Sequence, residues 1–278
     1  MAKVSIRDQQ VLNEFKGFSS LFFATIGAIV IFFDIPSNLK ITAGIFCIII
    51  LVLVYFGLWC RANRLREIKL TIEGSTVIIK TGNIFEQDGF KAIAFNEYFD
   101  TQVDEKIIAE TSLNGKFIKE HLSCPVSELD DYIKKYRFDL DEIKEINNGR
   151  VEGKKQKYEI GTICVYGEYL LTALSKFDEH NVAHLTMPEY LDFLISFWNK
   201  VNRVYAQKSV SVPIFGSGLT RITGHRLIDE QDLLKIMLWT FRISEMRFKH
   251  PAKLTIMIYE GKIDKINLLE LKTARNGL

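Results

Sequence analysis

Residues 212–221 read VPIFGSGLTR. An apolar run reaches Pro213, and Gly216-Ser217-Gly218 then opens ahead of Leu219, Thr220 and Arg221. Glycines after a strand let main-chain N–H groups approach an anion with no Cβ in the way. Ser217 and Thr220 offer hydroxyls, and Arg221 offers a guanidinium that can pair with a phosphate. A helix is expected next, at 229–241 (DEQDLLKIMLWTF), and its N-terminus would add positive potential. The stretch is not a Walker loop, since no G-K-[ST] follows, and GxGxxG is absent. On its own, GSG after a strand is a weak signal that describes a tight strand-to-helix turn better than it describes a phosphate loop.

The surrounding chain alternates strand and helix patterns. KLTIEGSTVIIKTG (69–82) reads as two strands around Gly74, and FKAIAF (90–95) as a buried strand. Ser127 is expected to open a helix over SELDDYIKKY. KYEIGTICVYG and EYLLTALSKF meet at Gly167 as a strand pair. Thr186 and Glu189 form a capping box, with Pro188 in the first turn. Tyr190, Leu194, Phe197 with Trp198, and Val201 fall on one face of the helix that starts there. SVSVPIF and KLTIMIY read as late strands, and KIDKINLLELK as a last short helix. This alternation predicts an α/β fold, a mixed sheet flanked by helices, with ligands beyond the carboxyl ends of its strands.

The N-terminal part differs in kind. Residues 17–33 (GFSSLFFATIGAIVIFF) and 41–60 (ITAGIFCIIILVLVYFGLWC) carry no charge. As helices they reach about 25 and 30 Å, enough for a transmembrane hairpin whose first span is slightly short. Lys3, Arg7 and Lys16 precede it, Arg61, Arg64, Arg66 and Lys69 follow it, and only Lys40 lies between. The excess of cations at both ends places both termini in the cytoplasm of a multi-pass inner-membrane protein. Tyr55 and Trp59 are expected at the inner interface. Ser20, Ala24 and Ala28 give the first helix a small-residue face, suited to packing within the hairpin or between copies. Val4, Val11, Phe15 and Phe18 suggest either an interfacial or self-associating helix or a frayed terminus. The expected division is residues 1–66 as hairpin segment and 67–278 as one cytoplasmic domain.

Composition narrows the chemistry. A net charge of +2 over 278 residues, with no long basic run, gives no nucleic-acid footprint. Cys47, Cys60, Cys124 and Cys164 show no CxxC pair, the five histidines show no HxH or HxxxH spacing, and no GxSxG elbow exists. No metal site and no nucleophile triad are expected. Glu97 and Asp100, close to Asn96, are the carboxylates available to a hydrolase, but solvated loop positions or caps are the favoured reading of both.

Gly82-Asn83-Ile84, Asn96, PIFGSGLT and Tyr259 together resemble a macro domain, the fold that binds ADP-ribose. The resemblance implies that Gly82-Asn83-Ile84 stands for the G-D-[IVLM] turn at the adenine, with Asn83 in place of aspartate. It also implies Asn96 near the distal ribose, although the usual N-A-A-N is missing, and Gly216–Arg221 around the phosphates. Tyr259 would stack on the base. With the two spans, and with FNEYFDTQVDEKII (95–108), SLNGKFI (112–118), YEIGT (158–162) and VPIFGSGLTRI (212–222), the chain is similar to the membrane-bound effectors of Thoeris antiphage systems. That resemblance implies a non-enzymatic receptor for an ADP-ribose-derived signalling nucleotide, made from NAD by a TIR-domain partner. It further implies ligand-induced homo-oligomers that disrupt membrane lipid and halt the infected cell. A membrane-anchored ADP-ribosyl hydrolase and a ligand-free scaffold are the alternative readings.

Overall fold

The computed structural model describes residues 4–33, 36–218, 221–223 and 228–273, with the side chains of Arg221, Thr223 and Thr273 left aside. The chain forms two compact units. One holds the residues up to Ile68 and those from Ile263 onward, and the other is Lys69–Lys262. The C-terminal residues, expected as part of the cytoplasmic domain, thus group with the hairpin.

In the first unit, α1 (Gln9–Phe32) and α2 (Ser37–Asn63) are apolar helices long enough to cross a bilayer. They reach about 36 and 40 Å, since each continues past the uncharged run through its flanking charged residues. Ile31, Phe32 and Ile41 are about four-fifths exposed, at 79%, 81% and 78%. The Ser20–Ala24–Ala28 face is also exposed rather than turned into the hairpin.

Residues 4–8 are neither frayed nor a separate interfacial helix. Asp8 caps α1, its Oδ1 accepting from Gln10 N at 2.9 Å and Val11 N at 3.3 Å. Ahead of it a short strap lies against the end of α2. Val4 N donates to Asn63 Oδ1 at 3.0 Å, Trp59 Nε1 donates to Val4 O at 3.0 Å, and the Tyr55 hydroxyl donates to Ile6 O. Tyr55 and Trp59, expected to face the lipid interface, therefore give their polar tips to the strap. Val4, Val11, Ala62 and Leu269 form a small buried cluster there. Leu269 comes from the C-terminal helix (Leu268–Thr273), and Asn267 Nδ2 donates to Asp8 Oδ2 at 3.0 Å.

The second unit is built on a nine-stranded sheet. In chain order its elements are β1 (Glu67–Ile72, its residues from Lys69 in this unit), β2 (Ser75–Thr81), β3 (Phe90–Asn96), α3 (Leu113–Lys116) and α4 (Val126–Lys135). Then come β4 (Ile143–Ile146), β5 (Gln156–Tyr158), β6 (Ile163–Tyr166), β7 (Tyr169–Phe177), β8 (Ala183–Thr186) and α5 (Met187–Val204). β9 (Val210–Pro213), β10 (Arg221–Thr223), α6 (Glu230–Ile243) and β11 (Leu254–Ile258) complete it. The sheet order is β1-β2-β11-β9-β3-β7-β8-β10, with β6 also on β7, while β4 and β5 form a separate ribbon. β2, β11, β9, β3 and β7 run parallel. β8 is antiparallel to β7, and β10 is parallel to β8.

The burial patterns explain the placement. β2 buries Ser75, Val77 and Ile79 in alternation, as a strand near the rim does, whereas every residue of β11 is buried, as in a central parallel strand. Glu73 and Gly74 take positive φ of 46° and 77° in the turn between β1 and β2. α5 buries Tyr190, Phe193, Leu194, Phe197, Trp198 and Val201 completely, at about 2 kcal/mol for each large apolar side chain. Phe193 and Phe197 pack edge-on to Phe215, and Trp198 packs edge-on to Phe241 of α6. A second cluster gathers Ile93, Phe95, Phe99, Phe117, Leu129, Ile133 and Leu171 around β3, α3, α4 and β7.

Two local expectations change. The helix near Ser127 begins at Val126 with Pro125 at its cap, so Ser127 caps nothing. No helix directly follows the glycine loop. β10 intervenes, because Arg221, Ile222 and Thr223 pair with His184, Leu185 and Thr186 of β8.

Thr186 caps α5 as its sequence implies. Thr186 Oγ1 accepts from Glu189 N, and Glu189 Oε2 accepts from Thr186 N at 2.7 Å. Lys176 Nζ donates to Glu189, and this charged bond, with the backbone bond from Thr186, holds the Glu189 carboxyl down at about 2 against an ordinary 4.5. A depressed carboxyl pKa stabilises the fold above about pH 4.5 and ceases to do so as pH falls toward 2. Glu189→Gln is expected to remove that part of the acid dependence from thermal melts of the detergent-solubilised chain. Thr186→Ala is expected to cost about 1 kcal/mol at neutral pH in the same melts.

Candidate functional site

Because β2, β3, β7, β9 and β11 are parallel, the segments after Thr81, Asn96, Phe177, Pro213 and Ile258 all emerge at one end of the sheet. A cleft of about 370 Å³ opens there, within the range of small-molecule sites. It is lined by Asn96 of β3, by Pro213 at the end of β9 and residues 214–218 after it, by Phe177 at the end of β7 and Asn181 beyond it, and by residues 105–109 and 112–114.

Of the residues expected from sequence, the cleft brings together Asn96, Gly216, Ser217 and Gly218. Leu219 and Thr220 lie outside the described residues. Arg221 sits in β10, not in the loop. Gly82, Asn83, Ile84 and Tyr259 do not line the cleft. They gather beside it, at the ends of β2 and β11, where Gly82 N donates to Ile258 O at 3.3 Å. Strands spaced about 4.8 Å apart put β2 roughly 14 Å from β3. Only an extended molecule reaches from one group to the other.

Two lysines connect the groups. Lys116 ends α3, whose start lines the cleft, and its Nζ stands 5.8 Å from the centre of the Tyr259 ring. Tyr259 is 66% exposed. Lys262, in the turn after Tyr259, donates its Nζ to the Ser217 carbonyl and pairs with Glu230 at 2.9 Å.

Gly216 takes φ of +80°, which a side chain tolerates poorly, and a Cβ there would stand 3.4 Å from Tyr190 Cε2 and 3.5 Å from Ile222 Cδ1. The loop turns back by a Ser217 N bond to Ile214 O at 3.2 Å. Tyr190 Oη donates to Phe215 O at 2.8 Å. Among the described residues, the N–H groups of Gly216 and Gly218 donate no hydrogen bond. Two donors are thus left on the cleft wall. The helix expected after the loop, α6, begins only beyond β10, and Asp229 caps it, its Oδ1 accepting from Asp232 N at 2.8 Å.

Asn83 and Asn96 are engaged within their own turns. Asn83 Oδ1 accepts from Phe85 N at 3.1 Å, and its Nδ2 donates to Glu86 at 3.2 Å. Ile84 is buried. Asn96 Oδ1 accepts from Tyr98 N and Asp100 N, and its Nδ2 donates to Asp100 Oδ2 at 2.8 Å. Asn96 therefore shapes the wall of the cleft.

Glu97 and Asp100 are neither solvated nor idle, being 2% and 1% exposed. Asp100 accepts from Arg150 Nη2 at 2.7 Å and Lys154 N at 2.7 Å, and Arg150 stacks over the Tyr98 ring at 3.9 Å. Glu97 accepts from Phe177 N at 3.3 Å and faces Lys157 Nζ at 3.5 Å. Neither carboxylate lines the cleft. The Cys164 thiol is fully buried, and burial pushes it up to about 12, so it is no nucleophile at neutral pH.

The segment 103–114 was the least visible part of the wall. Asp104 accepts from Ile107 N at 2.8 Å and Lys106 N at 2.9 Å, and the Ile107 bond leads in holding its carboxyl below the ordinary range. Glu105 Oε1 accepts from Glu110 N at 2.8 Å. Ser112 Oγ caps α3 by accepting from Gly115 N at 3.1 Å. A Cβ on Gly115 would lie 2.2 Å from Ala109 O, so this close packing demands glycine. A serine three residues before a glycine was the available signal.

The residues around Asn96 give a direct test. Asp100→Ala leaves the Arg150 guanidinium, 7% exposed, buried without its carboxylate. The expected loss is about 3–5 kcal/mol in chemical unfolding of the whole chain. A fully stable variant would show that Asp100 is not a structural hub.

Comparison with known proteins follows the same residues. The family model for the Thoeris protein ThsA macro domain matches residues 77–259. A Thoeris protein ThsA from Bacillus amyloliquefaciens (strain Y2) is 41% identical over 249 residues, which cover 84% of this chain and 82% of that protein. Among solved structures, an Oceanobacillus iheyensis macrodomain with ADP superposes with a TM-score of 0.47 at 13% identity, over 74% of this chain and 95% of that one. The same macrodomain with MES bound gives 0.46 at 13% identity, over 74% and 94%.

Proposed function

The chain belongs to the Thoeris ThsA macro-domain family, and on that premise we propose that it is a membrane-anchored receptor for an ADP-ribose-type nucleotide. The observation that carries the reading is the glycine loop: N–H donors at Gly216 and Gly218, without acceptors among the described residues, on the wall of a 370 Å³ cleft. Such donors suit a pyrophosphate, which needs several hydrogen bonds from groups that carry no competing side chain. A nucleotide laid from the Gly82–Ile84 turn and Tyr259 toward Asn96 would put its phosphates at this loop. The extended shape that the 14 Å separation demands is that of a base, ribose, pyrophosphate and second ribose in line.

The signal would be made from NAD by a TIR-domain partner enzyme. The ligand biases the protein only through its differential affinity for the assembling arrangement, and a preference of about a hundredfold is worth about 2.7 kcal/mol. The apolar helices would anchor the unit in the inner membrane with both ends cytoplasmic, as the flanking cations favour. Confinement to the bilayer raises the effective concentration of copies. The exposed Ser20–Ala24–Ala28 face offers close approach between them. Assembly would then disrupt the membrane and halt the infected cell. Binding without turnover is favoured, because the carboxylates nearest Asn96 are committed to Arg150, Lys154 and Lys157.

Gly216→Asp places a carboxylate among the donors at a positive φ. In titration calorimetry on the chain in nanodiscs, it is expected to abolish binding of ADP-ribose and its conjugates, and membrane fractionation should find it inserted as before. Infected cells carrying it are expected to lose the growth arrest. Arrest that survives would refute the receptor reading.

A further inference from the structure

Peptide groups in the glycine loop are held from outside the cleft. The Phe215 carbonyl accepts from Tyr190 Oη at 2.8 Å, and the Ser217 carbonyl accepts from Lys262 Nζ. Neither Tyr190 nor Lys262 lines the cleft, whereas Phe215–Gly218 do. A trans peptide is planar, with its C=O and the next N–H pointing opposite ways. Fixing the Phe215 carbonyl therefore orients the Gly216 N–H, and fixing the Ser217 carbonyl orients the Gly218 N–H. The N–H between them belongs to Ser217 and is used in the turn to Ile214. Each of the two peptide planes held by a side chain thus carries an N–H that has no acceptor among the described residues.

We propose that Tyr190 and Lys262 are the positioning residues of this loop, setting its peptide planes so that the Gly216 and Gly218 N–H groups converge on one anion in the cleft. This rests on the nucleotide reading above for the identity of the anion. Both holding groups are themselves fixed. Tyr190 is completely buried in α5, and burial raises its hydroxyl, so it stays a neutral donor. Lys262 is held by Glu230 at 2.9 Å, and its own N–H donates to Tyr259 O at 2.9 Å. Preset donors bind an anion without the cost of ordering the loop first. Lys262 thus acts through the Ser217 carbonyl, and its charge is already matched by Glu230.

The test uses the full chain in nanodiscs, labelled with ¹⁵N-glycine. Without ligand, Lys262→Met is expected to move the Gly218 amide resonance and Tyr190→Phe the Gly216 resonance, with glycines outside the loop, such as Gly149 and Gly167, unchanged. Each variant is expected to bind ADP-ribose about tenfold more weakly. Lys262→Arg keeps an N–H for the carbonyl and a charge for Glu230, and should restore affinity to within about threefold. Unmoved resonances, wild-type affinity in Lys262→Met, or no rescue by arginine would each overturn the proposal. If the unaltered chain fails to bind ADP-ribose, the nucleotide reading fails instead, and the ligand-free resonances still decide whether these residues set the loop.

Discussion

β11 lies between β2 and β9 and is parallel to both, with Leu254–Ile258 against Val77–Thr81 and Leu254–Met257 against Val210–Pro213. The rest of the second unit depends on this insertion. It lines up the Gly82 turn, Tyr259 and the glycine loop at one end of the sheet, although they are far apart in the chain. It also buries the whole of β11, which its run of Leu, Thr, Ile, Met and Ile suits. Lys262 can reach the Ser217 carbonyl only because these neighbours share one direction.

Polar groups at this end divide into two kinds. Asn83, Asn96, Glu97 and Asp100 are tied into turns and ion pairs, which suits groups that are buried and must be satisfied. The glycine-loop donors are held by their carbonyl ends and left open at their N–H ends. This end of the sheet therefore combines a tied-down wall with a few open donors. A hydrolase needs a base or an activated water as well, and here the nearby carboxylates already have partners.

Much of this was legible in the chain itself. The hairpin followed from uncharged length, the central strands from apolar runs, and the start of α5 from Thr186 and Glu189. The glycine loop was placed correctly after β9. What the pattern missed depended on distant partners. β10 has three residues and exists only by pairing with β8, so Arg221 read as part of a loop. Asp100 read as a loop acid because Arg150, fifty positions later, is what makes its burial affordable. The strap at Val4–Asp8 and its partners Trp59, Asn63 and Asn267 are likewise invisible to any local window.

The position of β11 also has a bearing on biosynthesis. A ribosome delivers the apolar hairpin first, and the strand that completes the middle of the sheet is among the last segments to emerge. Until then β2 and β9 have no common neighbour, and the Gly82 turn is not aligned with the glycine loop. A nascent chain therefore carries its apolar hairpin long before the turns at the ends of β2 and β9 come into line.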